Sequence, residues 1–214
     1  MNDILSLINF NSGINLVYGK AATGKTTLAL MLVYNYSKLG KVIFIDTENS
    51  FSIERFKQIS HDDYDKCLKN ILLIKANNFI QQHEAIKRLA NLNNLKLVVI
   101  DSLGKYYRME LKQESFVTNK RVQKDFRILK ELNNKNTIIL ITNQVYESFK
   151  LDDISMVGGN LVKNLADNLI RLEKDPRKLI IEKPVNKESL FEIQDKGIIL
   201  KWKERKEINF MFMY

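Results

Sequence analysis

The eight residues Gly19-Lys20-Ala21-Ala22-Thr23-Gly24-Lys25-Thr26 fit the pattern G-x-x-x-x-G-K-[ST]. The flanks strengthen the match: apolar Ile14–Tyr18 reads as a strand in front of it, and Thr26–Leu39 reads as a helix behind it, with Gly40 suited to the helix end. Glycines let such a loop curl until successive backbone N–H groups point at phosphate oxygens, and the helix N-terminus adds partial positive charge at the same place. Gly19, Lys20, Ala21, Ala22, Thr23, Gly24, Lys25, Thr26 and Thr27 are therefore candidate nucleotide-binding residues. Lys25 is expected to reach the β- and γ-phosphates, and the Thr26 hydroxyl to ligate Mg²⁺. A phosphate loop of this kind needs a carboxylate on the metal side, at the end of a buried strand. Leu97-Val98-Val99-Ile100-Asp101 offers Asp101, although an Asp after an apolar run also serves as a turn residue.

Around this junction, strand-like and helix-like segments alternate, the pattern of an α/β domain with a mostly parallel sheet flanked by helices. Lys41–Asp46, Leu97–Ile100 and Ile138–Ile141 are apolar enough to be strands buried on both faces, and Ile71–Ile74 is a shorter candidate. Helices are predicted over Phe79–Leu92 and Thr118–Asn133. After Gly158-Gly159 the pattern changes to the closely spaced strands Leu169–Leu172, Leu179–Glu182, Ser189–Ile193 and Ile198–Leu200, which predict a C-terminal antiparallel extension. No linker interrupts the 214 residues, so one domain over 1–214 is expected.

Composition removes several classes. One cysteine, Cys67, excludes an internal disulfide, and with only His61 and His83 beside it a Cys/His zinc cluster is excluded too. No run approaches a membrane span, and the N-terminus has no signal-type apolar core, so a cytoplasmic protein without a membrane partner is expected. The net charge of +9 favours polyanionic partners, nucleic acid above all. The abundance of Lys, Asn and Ile also suits an AT-rich genome.

The order of the remaining motifs narrows the class. There is no N-K-x-D guanine motif and no L-S-G-G-Q transporter signature. Instead Ile45-Asp46-Thr47-Glu48 ends the strand after the phosphate-loop helix, followed by Phe51-Ser52-Ile53-Glu54-Arg55-Phe56. Later come Ile141-Thr142-Asn143-Gln144-Val145-Tyr146, then Gly158-Gly159-Asn160 and Ile170-Arg171-Leu172-Glu173-Lys174. From about Gly13 to Leu200 the chain resembles the RecA/RadA recombinase superfamily, and within it most closely the small archaeal RadB branch.

That resemblance implies a RecA-like P-loop NTPase core that binds ATP with Mg²⁺. It makes Lys25, Glu48 and Gln144 the catalytic set, with Glu48 activating the attacking water and Gln144 sensing the γ-phosphate. It places Arg55 on the adenine ring and Lys183 in trans on a neighbouring subunit's ATP, so a homo-oligomer is possible. Only 18 residues precede the phosphate loop, which implies a core without an N-terminal DNA-binding domain. The implied DNA-contacting loops are Gly104 to about Ser115 and Tyr146 to Val157. Lys105, Tyr106, Tyr107, Arg108, Tyr146 and Lys150 combine aromatic faces with cations, which suits weak, sequence-independent binding of single-stranded DNA. The alternative for the tyrosines is packing beneath the loop. The expected role is a weak Mg²⁺-dependent ATPase in homologous recombination and repair. It would bind DNA or regulate the main recombinase or a junction nuclease, without strong strand exchange. The alternative is a KaiC-like or other RecA-fold regulator with no direct DNA role.

Overall fold

The most apolar runs, Lys41–Asp46, Leu97–Ile100 and Ile138–Ile141, are strands whose alternate side chains enter two different cores. The computed structural model describes residues 4–8, 10, 13–147 and 154–201. The first half runs α1 (Ile4–Leu7), β1 (Ile14–Gly19), α2 (Lys25–Ser37), β2 (Lys41–Asp46), α3 (Ile53–Ser60), α4 (Tyr64–Leu68), β3 (Ile71–Lys75) and α5 (Phe79–Leu89). Then come β4 (Leu95–Asp101), α6 (Gly104–Leu111), α7 (Ser115–Asn134), β5 (Ile138–Glu147), β6 (Ile154–Met156) and α8 (Gly159–Leu165). The chain closes with β7 (Asn168–Leu172), β8 (Lys178–Lys183), β9 (Lys187–Gln194) and β10 (Gly197–Lys201).

The strand order is β10-β9-β8-β7-β1-β5-β4-β2-β3, with β6 paired to the end of β5. Strands β7 through β3 in that order are parallel, and β8, β9 and β10 continue the sheet antiparallel, as the late strand pattern predicts. Ile43 and Ile45 of β2, Val98 and Ile100 of β4, and Ile139 and Ile141 of β5 face one core with α5 and α7. Val42 and Phe44, Leu97 and Val99, and Ile138 and Leu140 face the other, with α2 and α3. Full burial of such a side chain is worth about 1.5–3 kcal/mol, so two-faced strands are the main source of stability here.

Helix α2 is apolar all round because it is covered all round. Leu28 to Val33 are buried without a break, between the sheet on one side and β10 on the other. The backbone N–H of Ile198 in β10 donates to Met31 Sδ at 3.1 Å. On the opposite layer, α5 packs on α7 through a buried polar pair, His83 Nδ1 and Asp125 Oδ1 at 2.5 Å. Beside it Gln82 is fully buried, and neither its amide atoms nor Asp125 Oδ2 has a hydrogen-bond partner among the described residues. No described helix is long and apolar enough to cross a membrane.

One expectation is corrected here. The stretch from Gly104 to Ser115, read as a loop, is mostly the helix α6, followed by a short turn into α7. Tyr107 sits on the inner face of that helix, 1% exposed and stacked on Phe79 with ring centres 6.1 Å apart. Its hydroxyl donates to Asn119 Oδ1 at 2.6 Å, and burial pushes its pKa up to about 12. Helical periodicity turns one residue in each three or four toward the core, and Tyr107, three residues after the buried Gly104, takes that place.

Candidate functional site

Strands β1, β2, β4 and β5 end together at one edge of the sheet, and the expected site residues sit on those ends. Open α/β sheets bind ligands in this position, outside the carboxyl ends of the strands. Gly24 leaves the loop at φ +103°, a left-handed conformation that suits glycine, with Ile193 and Ile198 against it. Lys25 opens α2 and turns its ammonium back into the loop, donating to the carbonyls of Gly19 at 3.0 Å and Lys20 at 2.7 Å. Burial holds this ammonium below its ordinary pKa, while the carboxylates of Asp101 and Glu48 pull the other way. A desolvated cation held on loop carbonyls is the kind of group an incoming phosphate would pair with.

Asp101 is 3% exposed at the end of β4. Its Oδ2 accepts the Thr26 hydroxyl at 2.8 Å and the Ser50 hydroxyl at 2.6 Å, and its Oδ1 accepts the Thr142 hydroxyl. Among the described residues no group of three or more His, Cys, Asp or Glu could hold a metal alone. One carboxylate beside a threonine hydroxyl fits Mg²⁺, which keeps most of its waters and shares phosphate oxygens. The donor set therefore fits ATP·Mg²⁺ and would not suit an all-protein cage.

Glu48 follows β2 in a turn held by Asp46, which accepts the N–H groups of Glu48 and Ser50 on Oδ1 (both 3.0 Å) and of Phe51 on Oδ2 (3.1 Å). Glu48 Oε1 accepts the Gln144 amide at 2.7 Å and the Ser102 hydroxyl. The structure thus brings Lys25, Thr26, Glu48, Asp101 and Gln144 to one end of the sheet. Asp46, Ser50, Ser102 and Thr142 complete the hydrogen-bonded shell, and the sequence motifs assign none of them a role in the site. Only Asp46 and Thr142 carried a signal, as members of the I-D-T-E and T-N-Q runs.

Arg55 lies on α3, and its guanidinium donates to Gln58 Oε1 at 2.7 Å, to the carbonyl of Gln194 at 2.7 Å and to that of Asp195 at 3.3 Å. The turn of the β9–β10 hairpin, whose Ile193 stands on Gly24, thereby fixes the Arg55 plane beside the loop. Lys183 ends β8, and its ammonium donates to the Lys163 carbonyl at 2.9 Å. Its neighbour Glu182 accepts the Tyr18 hydroxyl on both oxygens, at 2.7 and 2.8 Å, and pairs with Arg171. Tyr18 and Arg171 also line a cavity of about 580 Å³ between the phosphate loop and the β7–β8 turn.

The expected DNA contacts separate. Arg108 and Tyr146 are exposed, Tyr106 is half-buried against the core, and Lys150 lies outside the described residues. Tyr107 is core, so it presents no face for a base to stack on. Lys105 turns inward, donating to the Thr47 carbonyl at 2.7 Å. At the α6–α7 corner, Met109, Phe116 and Val117 are exposed beside Arg108, Lys112 and Lys120, and the Lys120 ammonium lies 4.2 Å from the Phe116 ring centre.

Comparison with known proteins agrees with this architecture. The Rad51 family model matches residues 5–200. A DNA repair and recombination protein RadB from Methanococcus maripaludis is 38% identical over 177 residues, covering 79% of this chain and 81% of the relative. The RadB of Methanocaldococcus jannaschii is 34% identical over 196 residues, covering 86% and 92%. The crystal structure of the RadB recombinase superposes with a TM-score of 0.72 at 27% identity, covering 87% of this chain and 89% of that one.

Proposed function

The chain belongs to the Rad51 family, and we propose that it acts in recombination and DNA repair as a RadB-like, ATP-dependent protein with weak hydrolysis. The observation that carries the reading is the convergence of Lys25, Thr26, Glu48, Asp101 and Gln144 on four strand ends. ATP would be held by the amides of the phosphate loop and by Lys25, with Arg55 toward the base. Mg²⁺ would lie on the Thr26 and Asp101 side and supply charge neutralisation at the β- and γ-phosphates.

In this reading Glu48 takes the proton of the attacking water. Gln144 and Ser102 both donate to Oε1, so they orient the carboxylate, and we assign the water's proton to Oε2. Gln144 also joins the base to the strand that leads into the segment 148–153, which makes it a γ-phosphate sensor. Single-stranded DNA would meet the α6–α7 corner, where Arg108, Lys112 and Lys120 supply charge and Phe116, 69% exposed, supplies an aromatic face. Relatives named for DNA repair and recombination favour this over a RecA-fold regulator without a DNA role.

The test is single-turnover hydrolysis of ATP with and without single-stranded DNA, in the wild type and in Glu48→Gln. The amide cannot take a proton, so turnover should fall about 10²–10⁴-fold while ATP affinity holds. Equal turnover in the two proteins rejects Glu48 as the base. DNA affinity should drop steeply with salt, and a salt-independent affinity rejects the phosphate-contact reading of the corner.

A further inference from the structure

Lys105 is placed by its sequence neighbours among DNA contacts, yet its ammonium is spent on the hydrolytic centre. It sits at the second position of α6 and donates to the carbonyl of Thr47, the residue before Glu48. Thr47 is 2% exposed and is held at every polar atom by the stretch from the end of β4 into the first turn of α6. Its N–H donates to the Asp101 carbonyl at 2.9 Å. Its hydroxyl donates to the Ser102 carbonyl at 2.8 Å and accepts the Ser102 N–H at 2.9 Å. The Ser102 hydroxyl then donates to Glu48 itself. The β4–α6 junction and the first turn of α6 therefore grip the region together: Lys105 holds the peptide before the base, and Ser102, just ahead of the helix, holds the base's carboxylate.

The same helix start also abuts β5. A side chain at Gly104 would overlap the Asn143 amide oxygen and meet Val157 at 3.3 Å, and Asn143 precedes Gln144. The far end of α6 carries the exposed Arg108 and Met109. Eight helical residues span about 12 Å, so one rigid element reaches from the base to the outer corner.

We propose that Lys105 is a positioning residue that transmits the placement of α6 to Glu48, so that a ligand on the α6–α7 corner is felt at hydrolysis. The inference rests on the reading of Glu48 as the base. The same contact also couples nucleotide binding to the corner, and because linkage between two binding events is reciprocal, a nucleotide in the phosphate loop should change the stability of α6.

The experiment uses Lys105→Met, which keeps the apolar stem and loses the donor, and Lys105→Arg, which restores a donor. Three readouts are taken on folded protein, checked by melting curve. They are single-turnover ATP hydrolysis, oligo-dT affinity over a salt series, and amide hydrogen exchange of residues 104–111 with a non-hydrolysable ATP analogue and Mg²⁺. Lys105→Met should lose about 10- to 100-fold in turnover, as removal of a charge-assisted hydrogen bond implies. It should keep the wild-type salt slope and lose the analogue-dependent protection of α6, and Lys105→Arg should recover both lost properties in part. A salt slope lowered by about 0.7 with turnover intact would make Lys105 a phosphate contact and overturn the proposal. Unchanged protection of α6 in Lys105→Met overturns it as well, whatever the turnover. A wild type that binds the analogue but never hydrolyses ATP defeats the Glu48 reading instead, and the exchange measurement then decides the role of Lys105.

Discussion

Lys25 is a cation taken out of water by the loop that surrounds it, a burial that lowers its pKa while two carboxylates nearby favour the charged form. Its folded cost is compensated when an anion arrives, which makes it the side chain on which nucleotide affinity should depend most. Lys25→Ala should weaken ATP binding by at least about 10-fold, since hydrogen bonds to charged groups contribute about 1.5–3 kcal/mol. The melting temperature should hold, because the lost partners are backbone carbonyls at the open edge of the loop. Calorimetric affinity equal to wild type would reject the phosphate role. At this scale the legible residues were those whose chemistry ties a residue type to a fixed spacing: Lys25 and Thr26 after Gly24, an acid after an apolar strand. Ser50 and Ser102 carry no such signature, and Thr142 only its place in the T-N-Q run. They reach Asp101 or Glu48 across 51, 54 and 41 residues of chain, and only the sheet order brings them there.

At the scale of elements, the strands were legible because two-faced burial writes an unbroken apolar run. Helix α6 was not, because Gly104 opens it and its eight residues show barely two turns of periodicity. Tyr106 and Tyr107 stand side by side in sequence, and the helix sends them to different surroundings. The contact between α5 and α7 gives a pH-dependent element. Burial raises the Asp125 carboxyl to about 8 and lowers His83, with Glu84, Lys87, Arg121 and Lys124 as the surrounding charges. The folded pair therefore holds its one proton on the carboxyl, which donates it to His83 Nδ1. Unfolded, the pair holds one proton between about pH 4 and 6.5 and none above, from the ordinary values of Asp and His. Just below about pH 6.5, with His83 neutral, the counts match, and the folded state holds one more from about 6.5 to 8. Stability should then fall as pH rises through that window, by up to about 1.4 kcal/mol per unit. Asp125→Asn keeps the donor to His83 without a group that ionises, so it should flatten the decline. Urea melts at pH 5.5, 6.5, 8 and 9 give the answer, and parallel profiles for the two proteins would exclude the pair as the source.

For the molecule as a whole, the open question is whether one chain holds a complete site. Lys183 stands at the end of β8, where the antiparallel extension leaves the parallel sheet, and its ammonium rests on the Lys163 carbonyl. Next to it, Glu182 is tied to Tyr18 at the root of the phosphate loop and to Arg171 of β7. We propose that Lys183 serves a neighbouring chain's ATP, so that each subunit's loop and the lysine it presents are mechanically joined through Glu182. The net charge of +9 opposes close approach of free copies, and a polyanion such as DNA relieves that repulsion. Assembly, and with it turnover per chain, should therefore rise with protein concentration and with single-stranded DNA. The decisive form is a mixing experiment between Lys25→Ala, which lacks a working loop but presents Lys183, and Lys183→Ala, which has the loop but presents nothing. Each alone should be nearly inactive. In a random head-to-tail assembly of equal amounts, about one junction in four joins an intact loop to an intact lysine, so about a quarter of wild-type turnover should return. A mixture no more active than the average of its two components places Lys183 in its own chain's chemistry or outside the chemistry altogether. Turnover of Lys183→Ala alone then separates those two cases, being lost in the first and kept in the second.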